Sequence, residues 1–221
     1  MRAGSYCLLT LMVISTLGCG LGQHKLDYTP PQPHDVVTSV TVAGTKDEVW
    51  AKLVPALSKT FFVINNIDKD SGLINVSYAG DPEQFIDCGK IYSSVHDLAG
   101  ERVYHFPAAT AYKEYEYFQH ALWLAHRRMH LDGRVNIVVE EKTTKETTVS
   151  VNVNYIVQKT VNYPYVASGY GSYPGAGNNV DTISFIGDKT DTFAAGTICR
   201  SKGSLEKQIL DLVSNDGAQT H

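Results

Sequence analysis

"MHLDGRVNIVVEEKTTKETTVSVNVNYIVQK", residues 129–159, is two alternating runs separated by a short polar break. Met129, Leu131, Gly133, Val135, Ile137 and Val139 hold one phase; His130, Asp132, Arg134, Asn136, Val138 and Glu140 hold the other. Successive side chains of a strand point to opposite faces, so a two-residue period predicts a strand buried on one face. Val149, Val151, Val153, Tyr155 and Val157 repeat the pattern against Ser150, Asn152, Asn154 and Gln158. With "TTKE" as the turn between them, the stretch predicts a long antiparallel hairpin. A hairpin with one apolar face needs a second layer to cover it.

The flanking sequence supplies that layer. "VVTSVTVA" (residues 36–43) is β-branched and predicts a strand. Thr45 and Glu48 stand three apart, as a capping box requires, and open a helix. Val49, Trp50, Leu53, Val54 and Leu57 give that helix one apolar face, and Pro55 predicts a kink or an early end. "FFVINNID" and "LINVSYA" (residues 61–68 and 73–79) read as strands around the turn "KDSG", and residues 91–95 as a further short strand. In residues 108–125 a stripe of Ala111, Tyr115, Phe118, Leu122 and Ala125 predicts a helix. Residues 182–187 and 192–198 predict a last hairpin around "DKTD", and residues 203–213 a closing helix bearing Leu205, Ile209, Leu210 and Val213. The expected fold class is α+β: a β-α-β-β start, long antiparallel hairpins packed by helices, and a short C-terminal helix.

The first residues point to export. One basic residue, Arg2, precedes an apolar run over residues 7–17, about half the length needed to span a bilayer. This is the layout of a secretory signal peptide. Thr16-Leu17-Gly18-Cys19 resembles the lipobox of bacterial lipoproteins, in which the cysteine is lipidated (palmitate among its acyl chains) and becomes the new N-terminus. That resemblance implies a signal peptide over 1–18 and a lipid anchor at Cys19. Gly20 in the second mature position resembles lipoproteins sorted to the outer membrane. Residues 19–35 contain "YTPPQPHD" and read as a Pro-rich tether, followed by one domain over 36–214 and a tail over 215–221.

The whole chain carries 19 basic and 23 acidic residues, a net charge of -4, with no basic cluster in the sequence. Nucleic-acid binding is therefore not expected. Cys7 leaves with the signal and Cys19 takes the lipid, so Cys88 and Cys199 are left for a disulfide in an oxidising compartment. Two buried free thiols are the other reading of that pair.

No constellation in the sequence carries chemistry. His126 and His130 are four apart, but the Glu of the zinc-protease motif is missing between them. On a strand they lie about 13 Å apart, so they read as surface histidines and no metal is expected. "GYGSYPGAG" has the glycines of a phosphate loop without its Lys and Ser/Thr. Asp81 and Asp87, near Cys88, are turn formers first; with His96 they make the weakest of the candidate sites, a hydrolase. No cofactor is expected. In the long Gly/Tyr/Pro loop over residues 162–179, Tyr163, Tyr165, Tyr170 and Tyr173 are candidate contacts for a partner.

Residues 40–78 resemble the repeating unit of BamC-type outer-membrane lipoproteins: a strand, a Trp-containing helix "DEVWAKLVPAL", then an aromatic strand and a D-x-x-x-G-x-I-x-V turn and strand. Trp50, Asp68, Gly72 and Val76 fall in matching places. The resemblance implies a lipid-anchored helix-on-sheet domain and supplies no activity. The expected function is a non-catalytic accessory or structural component of an envelope protein assembly, anchored by acyl chains to the outer membrane and facing the periplasm. The alternative is a periplasmic binding module for a hydrophobic ligand such as a lipid. A filled core favours docking, and a connected apolar pocket of roughly 300 Å³ or more favours a carrier.

Overall fold

The computed structural model describes residues 24–164, 167–168, 171–172 and 177–214. In chain order the elements are β1 (Lys25–Thr29), β2 (Ser39–Ala43), α1 (Lys46–Leu57), β3 (Val63–Asp68), β4 (Leu73–Gly80), β5 (Ile86–Asp87), β6 (Lys90–Asp97), β7 (Gly100–Pro107) and β8 (Tyr112–Gln119). There follow β9 (Ala121–Thr143), β10 (Glu146–Tyr163), β11 (Ala167–Ser168), β12 (Gly171–Ser172), β13 (Gly177–Ile186), β14 (Thr190–Thr192), β15 (Ile198–Ser201) and α2 (Ser204–Ser214). The fold is α+β, mostly antiparallel strand with two short helices.

The β9–β10 hairpin is the spine. At 23 residues β9 is roughly 75 Å long. Each long strand pairs with the other along one edge and shares its outer edge between two shorter strands. β9 takes β8 at its start and β4 further on, with β3 beyond β4. β10 takes β2 along its first residues and β13 along its last. Three smaller sheets, β1-β6-β7, β14-β15-β5 and the two-stranded β11-β12, complete the described sheet structure.

The alternation decides which face is covered. Val135, Ile137, Val139, Val149, Val151 and Val153 are all buried, beneath Val49, Trp50, Leu53 and Leu57 of α1 and Leu205, Ile209, Leu210 and Val213 of α2. Gly133 lies on this face, and a Cβ there would come within 3.3 Å of a Leu205 methyl, so glycine lets α2 approach the sheet. The capping box forms: Glu48 N–H donates to Thr45 Oγ1 and Thr45 N–H to Glu48 Oε2. Pro55 sits in the last turn of α1, which ends two residues later at Leu57.

Cys88 and Cys199 form a disulfide across 111 residues, both fully buried. It joins the segment after β5 to β15, and those two strands pair in one small sheet.

Four segments depart from expectation. Residues 108–125 are not a helix: a turn leads into β8 at Tyr112, and the chain folds back at His120, whose φ is +60°, into the first part of β9. The expected last hairpin is also repaired differently, because β13 pairs with β10 while β14 pairs with β15. Within the stretch read as a tether, Lys25–Thr29 is strand β1, paired with β6. Tyr28 holds it there: its hydroxyl accepts from Ile198 N–H at 2.8 Å and lies 3.1 Å from the carbonyls of Cys88 and Ile198. β7 fills residues 100–107, for which no element was expected.

One buried polar group predicts a pH effect. Glu206 of α2 is 0% exposed; it accepts from the Tyr155 hydroxyl at 2.7 Å, while its other oxygen has no partner. Burial favours the neutral acid and pushes this carboxyl up. The folded state then holds the proton more tightly than the unfolded chain. The Glu206 contribution to stability is full below the ordinary carboxylate pKa and is lost as pH rises through the raised folded value. Asp97 runs the opposite way, since Arg102 holds it at about 2, but it acts only below about pH 4. Urea denaturation at pH 4.5 and pH 8 should show wild type losing stability relative to Glu206→Gln as pH rises. A constant difference between the two proteins would refute this assignment.

Candidate functional site

Arg127 and Lys159 sit where the alternation of the spine calls for apolar residues. Arg127 follows Ala125 in the core phase of β9, and Lys159 lies between Val157 and Val161 in the core phase of β10. Both point inward: Arg127 is 2% exposed and Lys159 6%. Lys113 of β8 stands directly opposite Arg127, on the same face. Val161 is opposite Arg127 on the other side, and Lys159 is two residues from Val161. Directly opposed side chains start about 5 Å apart and diagonal neighbours about 7–8 Å. Three cations thus form a short band across β8, β9 and β10.

Two of the three are answered locally. Lys159 Nζ lies 3.8 Å from Asp181 and 4.2 Å from the ring centre of Phe193. Asp181 is also held by the backbone N–H of Ala194 at 2.8 Å. Lys113 Nζ stands 5.7 Å from the ring centre of Phe106. Arg127 differs: both terminal nitrogens are buried without a hydrogen-bond partner. The groups that act on it are the phenols of Tyr115 and Tyr28, and burial lowers it to about 10, so it stays charged at neutral pH. Burial likewise lowers Lys159 and raises Tyr115.

The residues singled out by sequence fall elsewhere. Tyr163 is half-buried, its hydroxyl 3.3 Å from that of Tyr117 and its ring edge-on to Trp123 at 5.3 Å. Tyr165, Tyr170, Tyr173 and Cys19 lie outside the described residues. His126 and His130 are on the solvent face of β9, beside Glu114 and Asp132 at 3.7 and 3.5 Å. Asp81 and Asp87 each accept a backbone N–H of their own turn, from Glu83 and Gly89. His96 is exposed on β6 and its N–H reaches the His24 ring at 3.4 Å. The structure does not gather these three into one hydrogen-bonded group. Among the described residues no group of three or more His, Cys, Asp or Glu could hold a metal ion. Nor is any helix among them long and apolar enough to cross a membrane.

Open grooves border the spine. One of about 320 Å³ lies on the solvent face, lined by His126, Arg128, Thr160, Asn162 and Asn178. Another of about 250 Å³ lies between β2 and the helices, beside Val40, Val49 and Val213. No known family model, curated protein or solved structure matches this chain.

Proposed function

We propose that the chain is an outer-membrane lipoprotein, acylated at Cys19 and facing the periplasm. It acts there as a non-catalytic accessory or structural component of an envelope protein assembly. The observation that carries the docking reading is the filled core: α1 and α2 lock into the apolar face of the spine. The groove above 300 Å³ has a polar lining, which suits a protein contact better than a lipid tail. The other face of the hairpin, from His130 to Glu140, is polar apart from Val138 and solvent-facing, which suits docking. The buried disulfide fits an oxidising compartment, and the sequence resemblance of residues 40–78 to BamC-type units suits the same class.

The alternative, a binding module for a hydrophobic ligand such as a lipid, draws on one observation, the unpaired Arg127. The first test is the intact mass of the mature protein extracted from membranes, before and after reduction under denaturing conditions. The expected mass begins at Cys19, carries acyl chains, and gains two protons on reduction. An unmodified Cys19 would overturn the anchored reading, and crosslinking in intact envelopes that captured no partner would overturn the docking one.

A further inference from the structure

We propose that Arg127, with Lys159 beside it, binds an oxyanion of the phosphate class between the spine and β1. Two independent features of the molecule carry this. First, the core face of β8, β9 and β10 gathers Lys113, Arg127 and Lys159, with Asp181 as the carboxylate that contacts the band. Second, Arg127 is 2% exposed and presents both terminal nitrogens with no acceptor. At this exposure bulk water is excluded from a group whose charge persists, and an isolated buried cation is strongly unfavourable. Such a group is stable where something neutralises it, or where leaving it open serves a ligand. The neighbouring Tyr115 and Tyr28 do not neutralise it, since phenols are uncharged at neutral pH.

The shape of the unmet need identifies the ligand chemistry. A guanidinium whose two terminal nitrogens are free offers parallel N–H donors, the fork that phosphate and carboxylate oxygens accept in pairs. Lys159, two residues from the Val161 that faces Arg127, adds a second positive charge to the same face, which favours the more highly charged phosphate over a carboxylate. The same phosphate could arrive free in solution or as the headgroup of a phospholipid. The inference is independent of the anchoring at Cys19, and either can fail without the other.

Thermal unfolding in a phosphate-free buffer, titrated with inorganic phosphate at constant ionic strength, is the test. A short-chain phosphatidylglycerol kept below its micellar concentration is the second probe. At a hundred times the dissociation constant, wild type should melt roughly 5–10 °C higher. Arg127→Met should lose that rise and, without phosphate, melt no lower than wild type, because a buried unpaired charge has gone. Lys159→Gln should bind phosphate at least about tenfold more weakly, and it keeps the test open should Arg127→Met not fold. A rise with inorganic phosphate supports a free anion, and a rise with the phosphatidylglycerol alone supports a headgroup. No rise with either probe, or an equal rise in Arg127→Met, overturns the proposal.

Discussion

Cys88→Ala/Cys199→Ala should melt roughly 10–20 °C below the wild type. The crosslink closes a loop across 111 residues. By chain entropy, freeing such a loop in the unfolded state costs about 5 kcal/mol of stability. For a chain of this length each kcal/mol moves the midpoint by roughly 2–4 °C. The packing works in the same direction: both cysteines are fully buried with Phe85, Ile86 and Phe193, so alanine also leaves small voids. The small sheet formed by β14, β15 and β5 depends on this connection, since β5 contributes only two residues to it. Dithiothreitol alone should leave the native protein unchanged, because neither sulfur is accessible, and should act only once denaturant has opened the fold. A double variant melting within about 3 °C of wild type would show that the loop is restrained by its contacts instead.

Where side-chain period and turn chemistry agree, the fold was legible from residues alone. The spine, α1 with its Thr45–Glu48 box, the β3–β4 pair around "KDSG" and α2 all belong to this group. Residues 108–125 misled because two periods fit them. Ala111, Tyr115, Phe118, Leu122 and Ala125 suit a helix, yet Lys113, Tyr115 and Tyr117 suit a strand face. The arbiter would have been a turn, but the chain reverses at His120, which takes a positive φ without glycine or asparagine to announce it. β1 was hidden in a different way. Nothing in "KLDYT" marks a strand strongly, and its place comes from a partner about 65 residues on and from one phenol, Tyr28.

The candidate site was invisible for a reason tied to its chemistry. Extending the alternation by one step beyond Met129 and one step beyond Val157 brings in Arg127 and Lys159. Charged residues at apolar positions look like the ends of strands, so the pattern appears to stop where the unusual burial begins. Phase, followed through the charge, was the signal that could have found them. Of the four loop tyrosines only Tyr163 lies among the described residues, and it is half-buried against Tyr117 and Trp123.

Gly89→Ala should detach β1 and destabilise the protein by about 3 kcal/mol or more. Gly89 has φ +76°, a left-handed conformation that alone costs an alanine about 1–2 kcal/mol. Its missing side chain matters more. A Cβ at this position would lie 2.1 Å from the carbonyl oxygen of Thr29 and 3.1 Å from Pro30. Those are backbone atoms at the end of β1, so they can yield only by moving the strand. Moving it breaks the ladder to β6 and the Tyr28 bonds to Cys88 and Ile198. Each such bond contributes about 1 kcal/mol net. The expected signature is local: in hydrogen exchange the amides of residues 25–29 lose protection while those of the spine keep theirs, and Lys25 becomes a protease site. Full protection of β1 in the variant would defeat this account of Gly89. On the proposed anchoring, the same change alters reach. From Cys19 to His24 the chain spans at most about 17 Å, whereas with β1 free the span to Gln32, whose carbonyl accepts from Arg200, is up to about 45 Å. Gly89 is what lets β1 lie against the turn after the disulfide, and on that proposed anchoring it would set how close to the bilayer the folded body is held.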